Sequence, residues 1–188
     1  MALITLKEVS WGLGDANLIE MASFQIEKGD RICLLGRNGV GKSTLLKLLD
    51  DTITPDSGEI WRQQGITTAT LEQEVPRRTR GTIFDVIAIG LGPMGQALSD
   101  HQRLTRDPLT ADSSQSAGQL ARLHSQLDGN NGWALLQRIE AVLTNAGLDP
   151  RLEFGTLSAG MKRRTLFCRA AAGQPDLFLL DEPTNHLD

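Results

Sequence analysis

Eight consecutive residues, Gly36-Arg37-Asn38-Gly39-Val40-Gly41-Lys42-Ser43, have the types and spacing of a loop that holds phosphate. Its glycines let successive backbone N–H groups turn inward, because no Cβ blocks the angles required. Lys42 can reach the β- and γ-phosphates of a nucleotide, and the Ser43 hydroxyl suits a Mg²⁺ ligand. A pair of carboxylates, Asp181-Glu182, follows the apolar run Leu177-Phe178-Leu179-Leu180. A buried strand that ends in two carboxylates delivers them to the ligand edge of a parallel sheet. There Asp181 suits the Mg²⁺ shell, and Glu182 the orientation or deprotonation of a water aimed at the γ-phosphate. A third group is Leu157-Ser158-Ala159-Gly160-Met161, where Ser158 is a natural N-cap and the helix it opens is a second place for an anion. Lys162, Arg163 and Arg164 come next, at the end of a helix whose dipole disfavours cations; an anion docked there would offset this.

The elements that must position these groups can be read from periodicity and punctuation. Arg31–Leu35 reads as a buried strand feeding the loop, and Thr44–Leu49 as the helix leaving it. Residues 2–9 and 21–27 read as strands joined by a turn at Gly12, Gly14, Asp15 and Asn17. Thr54–Gly58 is a turn, after which 59–62 and 66–71 read as short strands of one small β layer. Gln73 follows that layer and, taken alone, is a surface glutamine. Arg77, Arg78 and Arg80 form a basic loop open to an anionic partner. Thr82 caps a helix over Ile83–Ile89, which Gly90 and Gly92-Pro93 end. Residues 94–104 and 115–127 read as two helices around a polar loop, 106–116. After the Asp128–Gly132 break, Leu135, Leu136, Ile139, Val142, Leu143 and Ala146 form one apolar helix face that stops at Gly147, with Trp133 in a packing role at its start. A last helix runs from Ser158 to Ala172.

At 188 residues the chain has room for one domain with a sizeable core, and its net charge of −4 argues against retention on nucleic acid by bulk charge. Cys33 and Cys168 lie in apolar segments and read as small buried hydrophobes of a reducing compartment. Neither a signal peptide nor an apolar run of about 18 residues is present, so the expected location is the cytoplasm.

Phosphate loop, glutamine after a β layer, helical insert, Leu-Ser-x-Gly and apolar-Asp-Glu, in that order, resemble the ATP-binding cassette ATPases. The ending Asp181-Glu182-Pro183-Thr184-Asn185-His186-Leu187-Asp188 is similar to the ABC-F group of that family, soluble tandem-cassette ATPases of which many act on the ribosome. Leu3-Ile4-Thr5, Gly36–Gly39 and Leu148-Asp149-Pro150 are similar to the first cassette of such proteins. The resemblance implies an α/β fold of the P-loop NTPase type, with a parallel-sheet core, a small antiparallel β subdomain and a helical insert. It places the P-loop core and β subdomain in 1–72, a helical subdomain in 82–172 with an interaction arm at 92–130, and the Walker B strand with the start of the D-loop, at Leu187-Asp188, in 173–188.

By the same resemblance Gly36, Arg37, Asn38, Gly39, Val40, Gly41, Lys42, Ser43 and Thr44 hold ATP. Gln73 senses Mg²⁺ and the γ-phosphate, Asp181 joins Ser43 at the metal, and Glu182 is the catalytic base. Ser158 and Gly160 close over ATP bound to an opposite cassette, and Trp11 is the candidate for stacking on adenine. Two positions depart from the pattern: Ala159 stands where glycine is usual, and Met161 where glutamine or glutamate is frequent. The chain also stops before the switch histidine and a second cassette, so it is expected to be part of a longer ATPase and to hydrolyse ATP poorly alone. The implied partners are a second cassette and the ribosome or its RNA. A transporter ATPase subunit bound to a permease, and an idle nucleotide-binding scaffold, are the alternatives; a GTPase is disfavoured by the lack of an Asn-Lys-x-Asp run.

Overall fold

The computed structural model describes residues 1–14, 16–71, 80–106 and 114–181. The chain divides into two units, Met1–Gln73 with Pro175–Pro183 and Glu74–Gln174 with Thr184–Asp188. In the first, β1 (Ala2–Leu13) and β2 (Ala16–Glu27) form an antiparallel hairpin, and β3 (Ser57–Arg62) lies on the other side of β1. Both hairpin strands run past their predicted limits, because pairs such as Trp11↔Ile19 and Leu13↔Ala16 need backbone partners rather than apolar alternation. Leu6 and Val9 are both buried although three residues apart. A bulge makes this possible: Glu8 has φ 48 and the register shifts between Leu6 and Val9. Gly58 of β3 faces the bulge, where a Cβ would stand 2.4 Å from the Glu8 carbonyl oxygen, so only glycine allows the approach.

Helix α1 (Lys42–Leu49) buries Leu46, Leu48 and Leu49 against Leu3, Ile4, Leu6, Val9, Ile26 and Leu179. Each such side chain contributes about 1.5–3 kcal/mol by leaving water. The Arg62 guanidinium donates to the Leu48 and Leu49 carbonyls and pairs with Asp51 at 3.2 Å, which caps the negative end of α1.

Three expectations about this unit are corrected. Strand β4 (Thr68–Leu71) does not share a layer with residues 59–62; it pairs in parallel with β5 (Leu177–Leu180), Thr68 opposite Leu177 and Leu71 opposite Leu180. Asp176 fixes that register. Its carboxylate accepts from the Thr67 N–H (3.0 Å) and hydroxyl (2.8 Å), and its own N–H donates to the Thr67 carbonyl (2.9 Å). The Thr67 N–H and hydroxyl also hold the Asp176 carboxyl below the usual aspartate range. Residues 31–35, expected as a buried strand, enter neither sheet. Ile32 is 54% and Leu35 89% exposed, and Cys33, expected to be buried, is exposed as well. An apolar run becomes a buried strand only when another strand's backbone lies alongside to take its N–H and C=O groups.

The described residues of the second unit are mainly helical: α2 (Ile83–Ile89), α3 (Pro93–Arg106), α4 (Ser114–Gly129), α5 (Gly132–Ala146) and α6 (Ala159–Ala172), with a 3₁₀ turn at Phe154–Thr156. Its core includes Phe84, Ile87, Leu98, Leu127, Ile139 and Phe154. Thr82 caps α2 as predicted: its hydroxyl accepts from the Asp85 N–H, and the Asp85 carboxylate accepts from the Thr82 N–H at 3.0 Å. The next two amides are used as well, Ile83 N–H donating to the Leu152 carbonyl and Phe84 N–H to that of Pro150. Leu135, Ile139 and Leu143 form the buried face of α5, and Gly147 at φ 62 ends it. Trp133 packs against His101 and His124. Burial first, and His124 second, push the His101 imidazole below its usual pKa. Cys168 is buried, as expected, which raises its thiol pKa.

Candidate nucleotide site

The loop before α1 has the local conformation its residues predict. Gly39 and Gly41 lie at φ 83 and 102, in the left-handed region that glycine enters without strain. Gly41 is the N-cap of α1; no side chain caps this end, and the first turn holds no acidic residue. The Leu45 N–H donates to the Gly41 carbonyl at 2.9 Å, which opens the helix. A helix that starts this way directs backbone N–H groups and the positive end of its dipole at whatever occupies the loop. Lys42 is the first residue of α1, and its ammonium donates to the Gly36 and Arg37 carbonyls at 2.8 and 2.9 Å. The cation is thus held inside the loop, where a phosphate can exchange with those carbonyls. Ser43 is exposed and Thr44 half-buried.

Leu18 of β2 was not singled out from the sequence. A Cβ on Gly41 would lie 3.0 Å from the Leu18 carbonyl oxygen, so β2 holds the loop from one side and Gly41 cannot be enlarged freely. No local signal marks Leu18, which comes into play only through the hairpin. Trp11 is half-buried in β1, opposite Ile19, and packs on the core of this unit.

Asp181 directly follows β5 and is partly buried. It lines, with Lys42 and Asp30, a cavity of about 340 Å³ whose remaining wall includes Ile32, Cys33, Leu46 and Phe178. Lys42 and Asp181 therefore border the same space, although they are far apart in the chain. The oxygen-only chemistry of Ser43 and Asp181 suits Mg²⁺, which takes one or two carboxylates and completes its shell with water and substrate phosphates. Among the described residues no cluster of three or more His, Cys, Asp or Glu that could hold a metal occurs.

Ser158 and Gly160 lie in the helical unit, at the start of α6. The Ser158 hydroxyl accepts from the Met161 N–H at 3.3 Å, an N-cap as predicted. Lys162 donates to the Gly155 carbonyl at 3.1 Å and stands 5.9 Å from the centre of the Phe154 ring, so its charge already has neighbours. Gln73 and Glu182 lie outside the described residues, as do Arg77, Arg78 and the segment after Asp181.

Over its full length the chain is 38% identical to the ATP-binding protein Uup of Escherichia coli K12, and it covers 30% of that protein. Over 187 residues it is 30% identical to the energy-dependent translational throttle protein EttA of Mycobacterium tuberculosis, covering 99% of this chain and 34% of the relative. The chain thus spans about a third of the length of these relatives. They bear out the resemblance to ABC-F proteins. Among solved structures, the ATP-binding subunit of an ABC transporter superposes with a TM-score of 0.69 at 22% identity, over 99% of this chain and 68% of its own. A putative ABC transporter ATP-binding protein from Pyrococcus furiosus gives 0.67 at 21%, over 98% and 78%. These structural likenesses show the α/β P-loop fold. No helix among the described residues is long and apolar enough to cross a membrane. The ABC transporter family matches residues 19–185, from the strand beside the phosphate loop past the Asp181 carboxylate, and the chain is a member of that family of ATP-binding cassettes.

Proposed function

We propose that this cassette binds ATP through Gly36–Thr44 and, within a complete tandem-cassette protein, hydrolyses it to drive closure and release of two cassettes. The observation that carries the reading is the uncapped start of α1 with the Lys42 ammonium folded into its own loop. On ATP entry Lys42 leaves the Gly36 and Arg37 carbonyls for phosphate oxygens, and the loop amides take the remaining charge. Ser43 and Asp181 are the residues that would hold Mg²⁺, which when bound neutralises phosphate charge. Glu182 orients or deprotonates the attacking water, with Gln73 as the residue that senses the metal and the γ-phosphate. Ser158 and Gly160 serve ATP held by the opposite cassette. One copy supplies one cradle and one such helix start, so turnover requires a second cassette.

The process we infer is a ribosome-linked one, resting on similarity to a relative named as a translational throttle protein and on the EPTNHLD ending. Binding of a fluorescent ATP analogue tests the first step. Lys42→Ala is expected to weaken it about tenfold to a hundredfold, the scale of a lost charge-assisted bond of about 1.5–3 kcal/mol. Equal affinity in wild type and Lys42→Ala would remove the cradle from the proposal. For the process, a Glu182→Gln form of the complete protein should co-sediment with ribosomes in ATP; capture of a membrane permease instead would favour the transporter reading.

A further inference from the structure

Three helices of the second unit bring together side chains that the nucleotide chemistry does not use. His101 on α3 and His124 on α4 place their Nε2 atoms 2.9 Å apart. Trp133 on α5 meets both rings edge to face, with centroids 5.4 and 5.5 Å away. Its indole N–H donates to Asp128 at 2.6 Å, which fixes the ring plane. The pair is accessible: His124 is exposed and His101 only partly buried.

We propose that His101 and His124 form a two-histidine site for a first-row divalent cation of the nickel or copper type. Imidazole nitrogens that share one cation at about 2.0–2.1 Å stand about 2.9 Å apart at a right angle and about 3.3 Å apart at the tetrahedral angle. The observed spacing is that of neighbouring positions in the tetragonal geometry that Cu²⁺ and Ni²⁺ prefer with nitrogen ligands. The ring centroids are 4.7 Å apart with planes at 63°. That is wider than the nitrogens yet closer than collinear rings would stand, as happens when two lone pairs converge on a point beside the N–N line. Water fills the other positions, since the described residues offer no third His, Cys, Asp or Glu. A bound cation would cross-link α3 to α4 and stiffen the pair of helices in the region expected to form an arm.

Trp133 supplies the readout, because Ni²⁺ and Cu²⁺ quench a nearby indole. In the full chain without a polyhistidine tag, Ni²⁺ is expected to quench tryptophan fluorescence saturably at one ion per chain. His124→Gln and His101→Gln should each weaken this at least about tenfold, a scale reached even by outer-shell partners of metal ligands. Trp133→Phe should abolish most of the quench while leaving Ni²⁺ binding measurable by calorimetry, and Cys33→Ser should change neither. His124 is exposed, so its variant tests the site even if the His101 variant unfolds. Absence of stoichiometric binding, or a quench that persists in His124→Gln, overturns the assignment and leaves an imidazole–imidazole hydrogen bond only.

Discussion

At the start of α2 the chain supplies its own anion, whereas at the start of α1 it supplies a cation. Thr82 and Asp85 close α2 reciprocally, and the Asp85 carboxylate also accepts from the buried Ser99 hydroxyl at 2.6 Å. At α1 the cap is Gly41, the first turn has no acid, and Lys42 stands where the dipole disfavours it. The difference separates two uses of one physical feature. A helix start that serves stability is satisfied from within, while one kept for a ligand leaves its donors to an outside anion and accepts a less stable helix. The start of α6 lies between these, with a Ser158 cap and no acid in its first turn.

Giving α1 what α2 has would erase the difference between the two helix starts. Thr44 occupies the third helical position, the place of Asp85 in α2. Thr44→Asp is expected to reduce ATP affinity more than about a hundredfold, since like charges brought together cost several kcal/mol. The same change should stabilise the ligand-free chain by about 0.3–1 kcal/mol. Calorimetric titration and urea unfolding read the two effects; retained ATP binding would show that the anion lies elsewhere. The converse change, Asp85→Ala, removes the carboxylate half of the capping box, so that the Thr82 N–H and the Ser99 hydroxyl lose their acceptor. It should destabilise the fold by about 2–3 kcal/mol in urea, with ATP binding to the folded protein unchanged. An unaffected midpoint would contradict the role given to Asp85.

The smallest expected effect is on pH dependence. Burial raises the Asp85 pKa, but hydrogen bonds from Ser99 and Thr82 outweigh it, and the folded value is lowered from 3.8. A depressed folded pKa contributes stability above the unfolded value, and that contribution is lost as pH falls from there through the folded pKa. Urea midpoints between about pH 5 and pH 3 should therefore fall less steeply in Asp85→Asn than in wild type. Parallel slopes would show that Asp85 does not titrate differently on folding.

Features carried by contiguous residues were legible in the sequence. Gly36–Ser43 announces a phosphate loop because type and spacing are the mechanism, and the Thr82 and Ser158 caps sit beside the helices they begin. Long-range pairing was less legible. Residues 66–71 have the pattern of a strand, yet their partner β5 begins more than a hundred positions later, and nothing local distinguishes a parallel neighbour from an antiparallel one. Residues 31–35 have strand composition without a ladder, and Cys33 is exposed with them. The Lys42 bonds to Gly36 and Arg37 and the pressure of Leu18 on Gly41 are facts of three dimensions. So is the meeting of His101, His124 and Trp133.

The bonds between Thr67 and Asp176 join residues 109 apart in the chain. During synthesis the hairpin and α1 can form early, but β4 must wait until the whole helical unit has emerged before β5 arrives. The strand that delivers Asp181 is therefore made only after everything between, and its pairing with β4 reports completion of that segment. The entropic cost of closing such a loop rises by only about 0.6 kcal/mol for each doubling of length. Helices in the intervening segment can thus be lengthened or shortened over evolutionary time with little penalty to the pairing of β4 and β5.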